Sequence, residues 1–447
     1  MKIYNLFPRL AGCFKDWSPH LDRAVDMGFD WIFINPLQQP GQSGSLYSIR
    51  DFFSINPDFL DPSSRLTPEQ QVQAVIAYGE RSGLRFMADL VINHCAYDSP
   101  LLQTHPEWFV RNGKSIQHPY CDHDGQRVEW TDLAQFDHRN SSDAKGLYEY
   151  CLKIIRYLLS LGFCGLRCDA AYQIPGAVWQ RLMTDIRKEY PDTVFVAETL
   201  GCSPEQTCET AQAGFDFIFN SSKWWDFSSS WLMDQHKATC STVSSLSFPE
   251  SHDTPRLFSE TSGNIDALRQ RYLFSALFSA GVMMPMGYEF GFSRPLHVVN
   301  TRPEDWEHTS VDITGFIRHI NAVKSGNPLF GEETRTEVLK HPNPSVLVLA
   351  KKSPTTQGEA LLILNKDPWN WQHFHSDNLY AYLNTKTPLV DVSPDWPQEY
   401  LPTPFEFDLM PGMGRILVSP DKTSLERNSP VYSTNSPSIQ PSVHSPL

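Results

Sequence analysis

The chain has 447 residues, with 51 acidic against 37 basic side chains, a formal charge of -14, and 40% apolar and 20% charged residues. That acidity gives no electrostatic reason to hold a polyanion, which excludes nucleic acid and anionic membranes as general partners. The apolar share suffices for a core, and the length asks for two domains or one large barrel with a small companion.

In chain order, eight short apolar runs alternate with amphipathic ones: KIYNLF, WIFINPL, LRFMADLVIN, CGLRCDA, TVFVAETL, FDFIFN, VSSLSF and VMMPMGY. Strands separated by helices imply a parallel sheet, and eight of them close a (β/α)8 TIM barrel over residues 1–335. The spacing predicts a helix from Asn140 to Leu161, opening on Ser-Ser-Asp, and another from Pro175 to Tyr190 that ends on Arg187 and Lys188. Between the third strand and the first of these helices, about 95–140 reads as an excursion or small subdomain. Tyr272 to Tyr288 is the longest uncharged run, but Gly281, Pro285 and Gly287 make it a helix followed by a strand, not a membrane span. From 336 to 420, runs such as SVLVLAKK, ALLILNK and GRILVSP predict a C-terminal antiparallel β domain, a sandwich. Residues 421–447 are Ser/Pro-rich and are expected to be a disordered tail. The N-terminal apolar stretch is too interrupted for a secretory signal. The nine cysteines lack CxxC pairs, which argues against structural zinc and suits a reduced, cytoplasmic setting. Oligomeric state leaves no mark on these patterns.

A barrel of this type works at the C-terminal ends of its strands. Those ends carry Asp89, Asn93 and His94 after the third strand, Arg167 and Asp169 at the fourth, Glu198 at the fifth, and His252 and Asp253 after the seventh. One Asp after a strand is an ordinary cap or turn residue; the joint occurrence is not. Arg167 and Asp169 are two apart on a strand and share a face. An Arg beside a carboxylate holds it ionised, as a nucleophile requires. Glu198 follows an apolar strand with no flanking base, and burial would raise its pKa, as a general acid requires. That division of labour is the one used for glycoside cleavage with retention. Asp253 could stabilise the transition state, and His94 and His252 could donate to sugar hydroxyls, although either histidine alone reads equally as a buried residue bonded to backbone.

DLVINH, GLRCDAAY, FVAETL and ESHD resemble, in order, the four signature regions of the alpha-amylase family of glycoside hydrolases, family thirteen. The resemblance runs over about 1–420. It implies attack by Asp169 on the anomeric carbon, proton transfer by Glu198 and transition-state stabilisation by Asp253. It also implies substrate binding by Tyr47 (in GSLYSIRD), Asp89, His94, Arg167 and His252. The implied substrate is an α-glucan or malto-oligosaccharide. The activity is that of a retaining glycosidase or, with the same residues, an α-glucan transglycosylase. HPEWF (105–109) and MGYEFGF (286–292) are similar to the glucan maltosyltransferase branch. Two departures stand out: Ala170, Ala171, Tyr172 and Gln173 follow the nucleophile in place of a Lys-His pair, and Ser251 replaces the common Asn before His252. No cofactor is required. Calcium is open, with Asn93 as candidate ligand, while Asp122, Asp124 and Asp132 read more plainly as solvated loop residues. An inactive sugar- or protein-binding scaffold is the rival of another class, but such scaffolds usually lose a carboxylate. A metal-dependent hydrolase would need closely placed ligands, and only His94 and His252 qualify. Trp224 and Trp225, after the sixth strand, read as acceptor-site aromatics or, more plainly, as core residues.

Overall fold

The computed structural model describes residues 1–419 except Asp124, Gly125, Pro354, Gln357 and Lys386. The tail expected over 421–447 lies outside the described residues. Eight parallel strands close a barrel in sequence order: β1 (Lys2–Leu6), β2 (Trp31–Ile34), β3 (Arg85–Leu90), β4 (Gly165–Cys168), β5 (Val194–Ala197), β6 (Phe217–Phe219), β7 (Ser244–Ser247) and β8 (Gly281–Pro285). Seven lie within their apolar runs and β8 starts one residue before its run, at Gly281; the expected (β/α)8 TIM barrel is the observed fold.

The two-residue period of a strand decides what fills the barrel and what reaches its rim. Ile3, Trp31, Phe33, Met87, Val196, Leu246, Phe248 and Met283 form an apolar cluster of their own inside the barrel. Two residues beyond Ile3, Phe33, Met87 and Val196 along the chain stand Asn5, Asn35, Asp89 and Glu198, all buried. Each of these strands thus ends its inward-facing row in a polar group. On β4 the row begins with Gly165, where an added Cβ would lie 2.6 Å from the Trp31 ring. That indole occupies the space a side chain would need, so glycine is required there.

Helices cover the outside. α1 (Ala144–Ser160) is capped by Asp143, whose carboxylate accepts from Gly146 N, so the expected Ser-Ser-Asp start supplies the cap rather than the first turn. Its Leu147, Cys151, Ile154 and Leu158 are buried at helical spacing. α2 (Gly176–Glu189) and α3 (Pro204–Ala211) follow β4 and β5. The uncharged run contributes to α4 (Ile265–Phe278) and then to β8. Among the described residues no helix is long and apolar enough to cross a membrane.

The excursion carries short antiparallel pairs. His94–Ala96 pairs with Leu133–Gln135, Arg111–Asn112 with Ser115–Ile116, and Tyr120–His123 with Gln126–Glu129. After the barrel, α5 (Thr314–Gly326) leads to an antiparallel sheet ordered β9 (Arg335–Leu339), β10 (Val346–Lys352), β11 (Glu359–Asn365), β13 (Gly414–Val418) and β12 (Val390–Asp391). Its two faces are both covered. Leu347, Leu349, Leu362 and Ile416 join the core around the barrel, while Val346, Val348, Leu361 and Leu417 pack with Phe374 and Phe405 of a second antiparallel pair. Burial on both faces explains why VLVLA and ALLIL read as continuous apolar runs rather than alternating ones.

Candidate active site

Strand register creates the centre of the site. Arg167 on β4 stands directly beside Asp89 on β3. Its Nη1 donates to both Asp89 oxygens at 2.9 and 3.2 Å and to Asp169 Oδ1 at 2.6 Å. Its Nη2 lies 3.9 Å from Glu198 Oε2. One guanidinium therefore faces three carboxyl groups from the ends of three adjacent strands. Burial disfavours its charge, but Asp89, Tyr47, Asp169 and Glu198 outweigh that and keep Arg167 cationic.

Glu198 is not free of a neighbouring base, as its own strand suggested; the base arrives from β4. Its position is fixed by backbone. Ala170, just past Asp169, adopts a left-handed conformation with φ 40. That turn directs Ala170 N onto Glu198 Oε2 at 2.8 Å, while Leu200 N donates to Oε1 at 2.5 Å. Burial pushes the Glu198 carboxyl up, and Asp169 adds to this against the opposing pull of Arg167 and the two N–H groups. The net result is a pKa of about 7. Burial likewise pushes Asp89 up to about 6 despite Arg167.

On the opposite side, Tyr47 gathers the remaining groups. Its hydroxyl donates to Asp89 Oδ2 at 2.6 Å and lies 2.7 Å from His252 Nε2. The phenol and imidazole rings stack with a 5.6 Å centroid separation. His252 Nε2 also lies 2.9 Å from Asp253 Oδ2. Burial raises Asp253, but His252 and Arg167 outweigh this and hold its carboxyl below the usual range. The Asp253 side chain remains 57% exposed, open to a ligand. His94 Nε2 bonds the Tyr47 carbonyl at 3.0 Å, so backbone satisfies half of that ring, as its plainer reading expected. Burial lowers its pKa and keeps it neutral. The Nδ1 atoms of both His94 and His252 are buried without a protein partner.

All eight residues singled out from the sequence as catalytic or substrate-binding therefore meet at one rim. Several others were missed. Asn35 donates to the Tyr47 hydroxyl at 2.9 Å and accepts from Asn5 at 2.9 Å. Glu250 pairs with Arg256 at 2.7 Å and accepts from Leu257 N, bracing the loop that holds His252 and Asp253. The two-residue step from an apolar interior position to a polar strand end could have revealed Asn5 and Asn35. Trp225 is buried, whereas Trp224 is 51% exposed and meets Phe248, just past β7, edge-on. Only Trp225 follows the plainer core reading. In MGYEFGF, Glu289 is buried and bonded to Tyr4 and Arg23, a structural position.

Asn93, the calcium candidate, directs its amide nitrogen at Asp169 Oδ2, 3.4 Å away, while its Oδ1 has no partner. It thus stands as a donor to the carboxylate. Asp124 lies outside the described residues, and nothing is described of the Asp122 side chain. Among the described residues no group of three His, Cys, Asp or Glu side chains could hold a metal.

Comparison with known proteins adds independent support. Residues 1–114 match the family described as glycogen debranching enzyme, glucanotransferase domain. An alpha-1,4-glucan:maltose-1-phosphate maltosyltransferase from Arcanobacterium haemolyticum is 25% identical, over 88% of this chain and 61% of its own. The Burkholderia pseudomallei protein of the same name is 23% identical, over 73% of this chain and 29% of its own. The chain thus spans 61% and 29% of the length of these curated relatives, less than two thirds of each. Among solved structures, alpha-amylase from Geobacillus thermoleovorans superposes with a TM-score of 0.74 at 17% identity, covering 94% of this chain and 98% of that one. Alpha-amylase from Lactobacillus plantarum gives 0.73 at 19%, covering 93% and 98%.

The chain resembles the alpha-amylase family, with similarity to its maltosyltransferase branch. The alpha-amylase fold accounts for the barrel, the excursion after β3 and the terminal antiparallel sheet. At the rim of this barrel the chain carries Asp169, Glu198 and Asp253, and Ala170 to Gln173 follow Asp169.

Proposed function

We propose that the protein is a retaining enzyme acting on α-glucosidic bonds of α-glucans or malto-oligosaccharides, as a glycosidase or a transglycosylase. One observation carries this reading. Asp169 and Glu198 share a single guanidinium, and burial leaves Glu198 protonated up to about pH 7. A scaffold that merely holds sugar has no use for a carboxyl kept neutral in this way.

The cycle follows from the geometry. Asp169, held by Arg167 and by the Asn93 amide, attacks the anomeric carbon. The bond to the leaving oxygen breaks as Glu198 delivers its proton there. In the second half an acceptor hydroxyl or water attacks the same carbon, the bond to Asp169 breaks, and Glu198 takes the acceptor's proton. Asp253 faces the positive charge that develops on the sugar ring. Asp89, His252, Tyr47 and His94 form one hydrogen-bonded bed beside the two carboxyl groups. Asp169 supplies the nucleophile, Glu198 the first proton, and the acceptor or water the second, so the cycle as proposed calls on no cofactor. No step of the cycle needs calcium at Asn93, whose amide instead donates to Asp169, and activity should survive a chelator. We place the protein in the cytoplasm, a reading supported by eight free thiols among the described residues.

Incubation with maltose, maltoheptaose, starch, sucrose, trehalose and maltose-1-phosphate tests this. Turnover of an α-glucan with α-configured first products is expected. No turnover of any of them, or β-configured products, would refute it.

A further inference from the structure

Two asparagines reach the rim only through another side chain. Asn5 lies in β1, Asn35 directly follows β2, and both are buried. Their hydrogen bonds run toward Tyr47, whose hydroxyl joins Asp89 to His252. The polarity of those bonds determines which atom carries each proton.

Backbone sets the direction. Strand register places Asn5 beside Phe33. A carbonyl only accepts, so the Asn5 amide nitrogen must face Phe33 O, at 3.2 Å. The second hydrogen on that nitrogen goes to Asn35 Oδ1 at 2.9 Å. With its oxygen engaged, Asn35 presents Nδ2 to Tyr47 Oη at 2.9 Å. Turning Asn5 over would set its oxygen against the Phe33 carbonyl. In the orientation observed, Asn5 Oδ1 is buried without a partner, so its donors hold this amide in place.

The Tyr47 oxygen then has more neighbours than freedom. A phenol has one proton to donate and two lone pairs to accept with. Asn35 occupies one lone pair. Asp89, a carboxylate already accepting from Arg167, lies 2.6 Å away and takes the proton. His252 Nε2, at 2.7 Å, is left the second lone pair and must meet it as N–H. Two further observations agree. Ionised Asp253 can only accept, and its Oδ2 lies 2.9 Å from the same nitrogen. The other ring nitrogen, Nδ1, is buried with no protein partner, and Phe7 and Phe33 flank the imidazole at centroid separations of 6.3 and 6.2 Å. A buried orphan N–H is the rarer and costlier arrangement, so the bare lone pair belongs on Nδ1.

We infer that Asn5 and Asn35 are positioning residues that act on the site through the Tyr47 hydroxyl. They hold its oxygen by a donated N–H, commit its proton to Asp89 and require His252 to meet it with Nε2–H. The effect on rate rests on the retaining mechanism above, whereas the order of the hydrogen bonds belongs to the resting protein. Without the Asn35 N–H, the hydroxyl is free to turn from Asp89, and the carboxylate beside Arg167 loses one of its donors.

The full chain is assayed on maltoheptaose. Asn35→Leu and Asn5→Leu should each lower kcat/KM about five- to tenfold, the scale of one hydrogen bond. Tyr47→Phe keeps the ring and removes only the hydroxyl. In that background neither asparagine variant should cost more than about twofold, whereas independent effects would multiply to about fifty- to a hundredfold. An undiminished loss in the Tyr47→Phe background would mean that Asn35 merely fills space beside the ring, and overturns the inference. Parent activity in Asn35→Leu does the same. Separately, the parent labelled with nitrogen-15 histidine is measured by long-range proton–nitrogen correlation near pH 8, with His252 assigned by the signals lost in His252→Gln. A proton on His252 Nε2 is expected. A bare Nε2 with the proton on Nδ1 reverses the chain of bonds and overturns the inference, even where the leucine variants fail to fold. No turnover of any glucan by the parent would instead refute the retaining mechanism, and the histidine measurement would then decide the hydrogen-bond order by itself.

Discussion

At the N-terminal end of the barrel, Glu333 accepts from Ser245 N and Oγ at 2.7 and 2.8 Å and from Ala280 N at 3.3 Å. His236 Nδ1 lies 3.1 Å away. Burial alone would raise this carboxyl, but these partners hold it below its ordinary value. Lys324 beside it donates to the carbonyls of Ala276, Ser279 and Phe330. At the C-terminal end, Glu198 is also buried and shares the Arg167 cation with Asp89 and Asp169. Its carboxyl is pushed up instead of down. The same barrel thus buries two glutamates with opposite outcomes, because donors are plentiful at one end and rationed at the other. Plentiful donors make a structural joint, whereas rationed ones leave a proton available for chemistry.

The largest effect that sharpens this contrast is Asp169→Asn. Turnover should fall by on the order of 10⁴- to 10⁶-fold with an unchanged melting transition, and near-normal activity would remove Asp169 from its role. Glu198→Gln should cost on the order of 10²- to 10⁴-fold on a natural glucan. It should cost far less at the glycosylation step on an aryl glycoside whose leaving group needs no proton. In the parent, kcat/KM for a glucan should decline as pH rises through about 7, where Glu198 loses its proton.

The two ends should separate cleanly in stability. Glu333→Gln should cost about 3–5 kcal/mol in urea unfolding, as expected for a broken buried charge network, while per-molecule activity stays near the parent's. Glu198→Gln should do the reverse. A carboxyl with a raised folded pKa favours the fold while protonated and loses that favour as pH climbs from about 4.5 to about 7. The variant should therefore match the parent near pH 4 and exceed it by at most about 3 kcal/mol near pH 8. A variant less stable at both pH values would mean that Glu198 is a structural joint too. The smallest effect is Tyr47→Phe, which removes the hydroxyl between Asp89 and His252. About a tenfold loss in kcat/KM is expected, the scale of one or two hydrogen bonds.

Much of this was legible in the sequence. The eight runs became strands because their apolar residues face both the barrel interior and the surrounding helices, and periodicity reports that directly. The rim residues followed because strand ends are fixed once strands are. Asn5 and Asn35 left a local trace in the two-residue step of their strands; the rest of what escaped had no local signature. Tyr47 meets His252 across 205 positions. The base beside Glu198 lies on another strand and is set by barrel register. Asn93 was weighed as an oxygen ligand, but its spacing says nothing of which amide atom faces Asp169. Glu250 and Arg256 sit within one short segment, yet only the closed loop shows that they brace it.

The most direct measurement is covalent trapping with 5-fluoro-α-glucosyl fluoride followed by peptide mass spectrometry. A glycosyl adduct on the peptide bearing Asp169, absent in Asp169→Asn, is the predicted result. An adduct on Glu198, or turnover of the reagent with inversion and no adduct, would contradict the assignment of nucleophile and acid on which the mechanism depends.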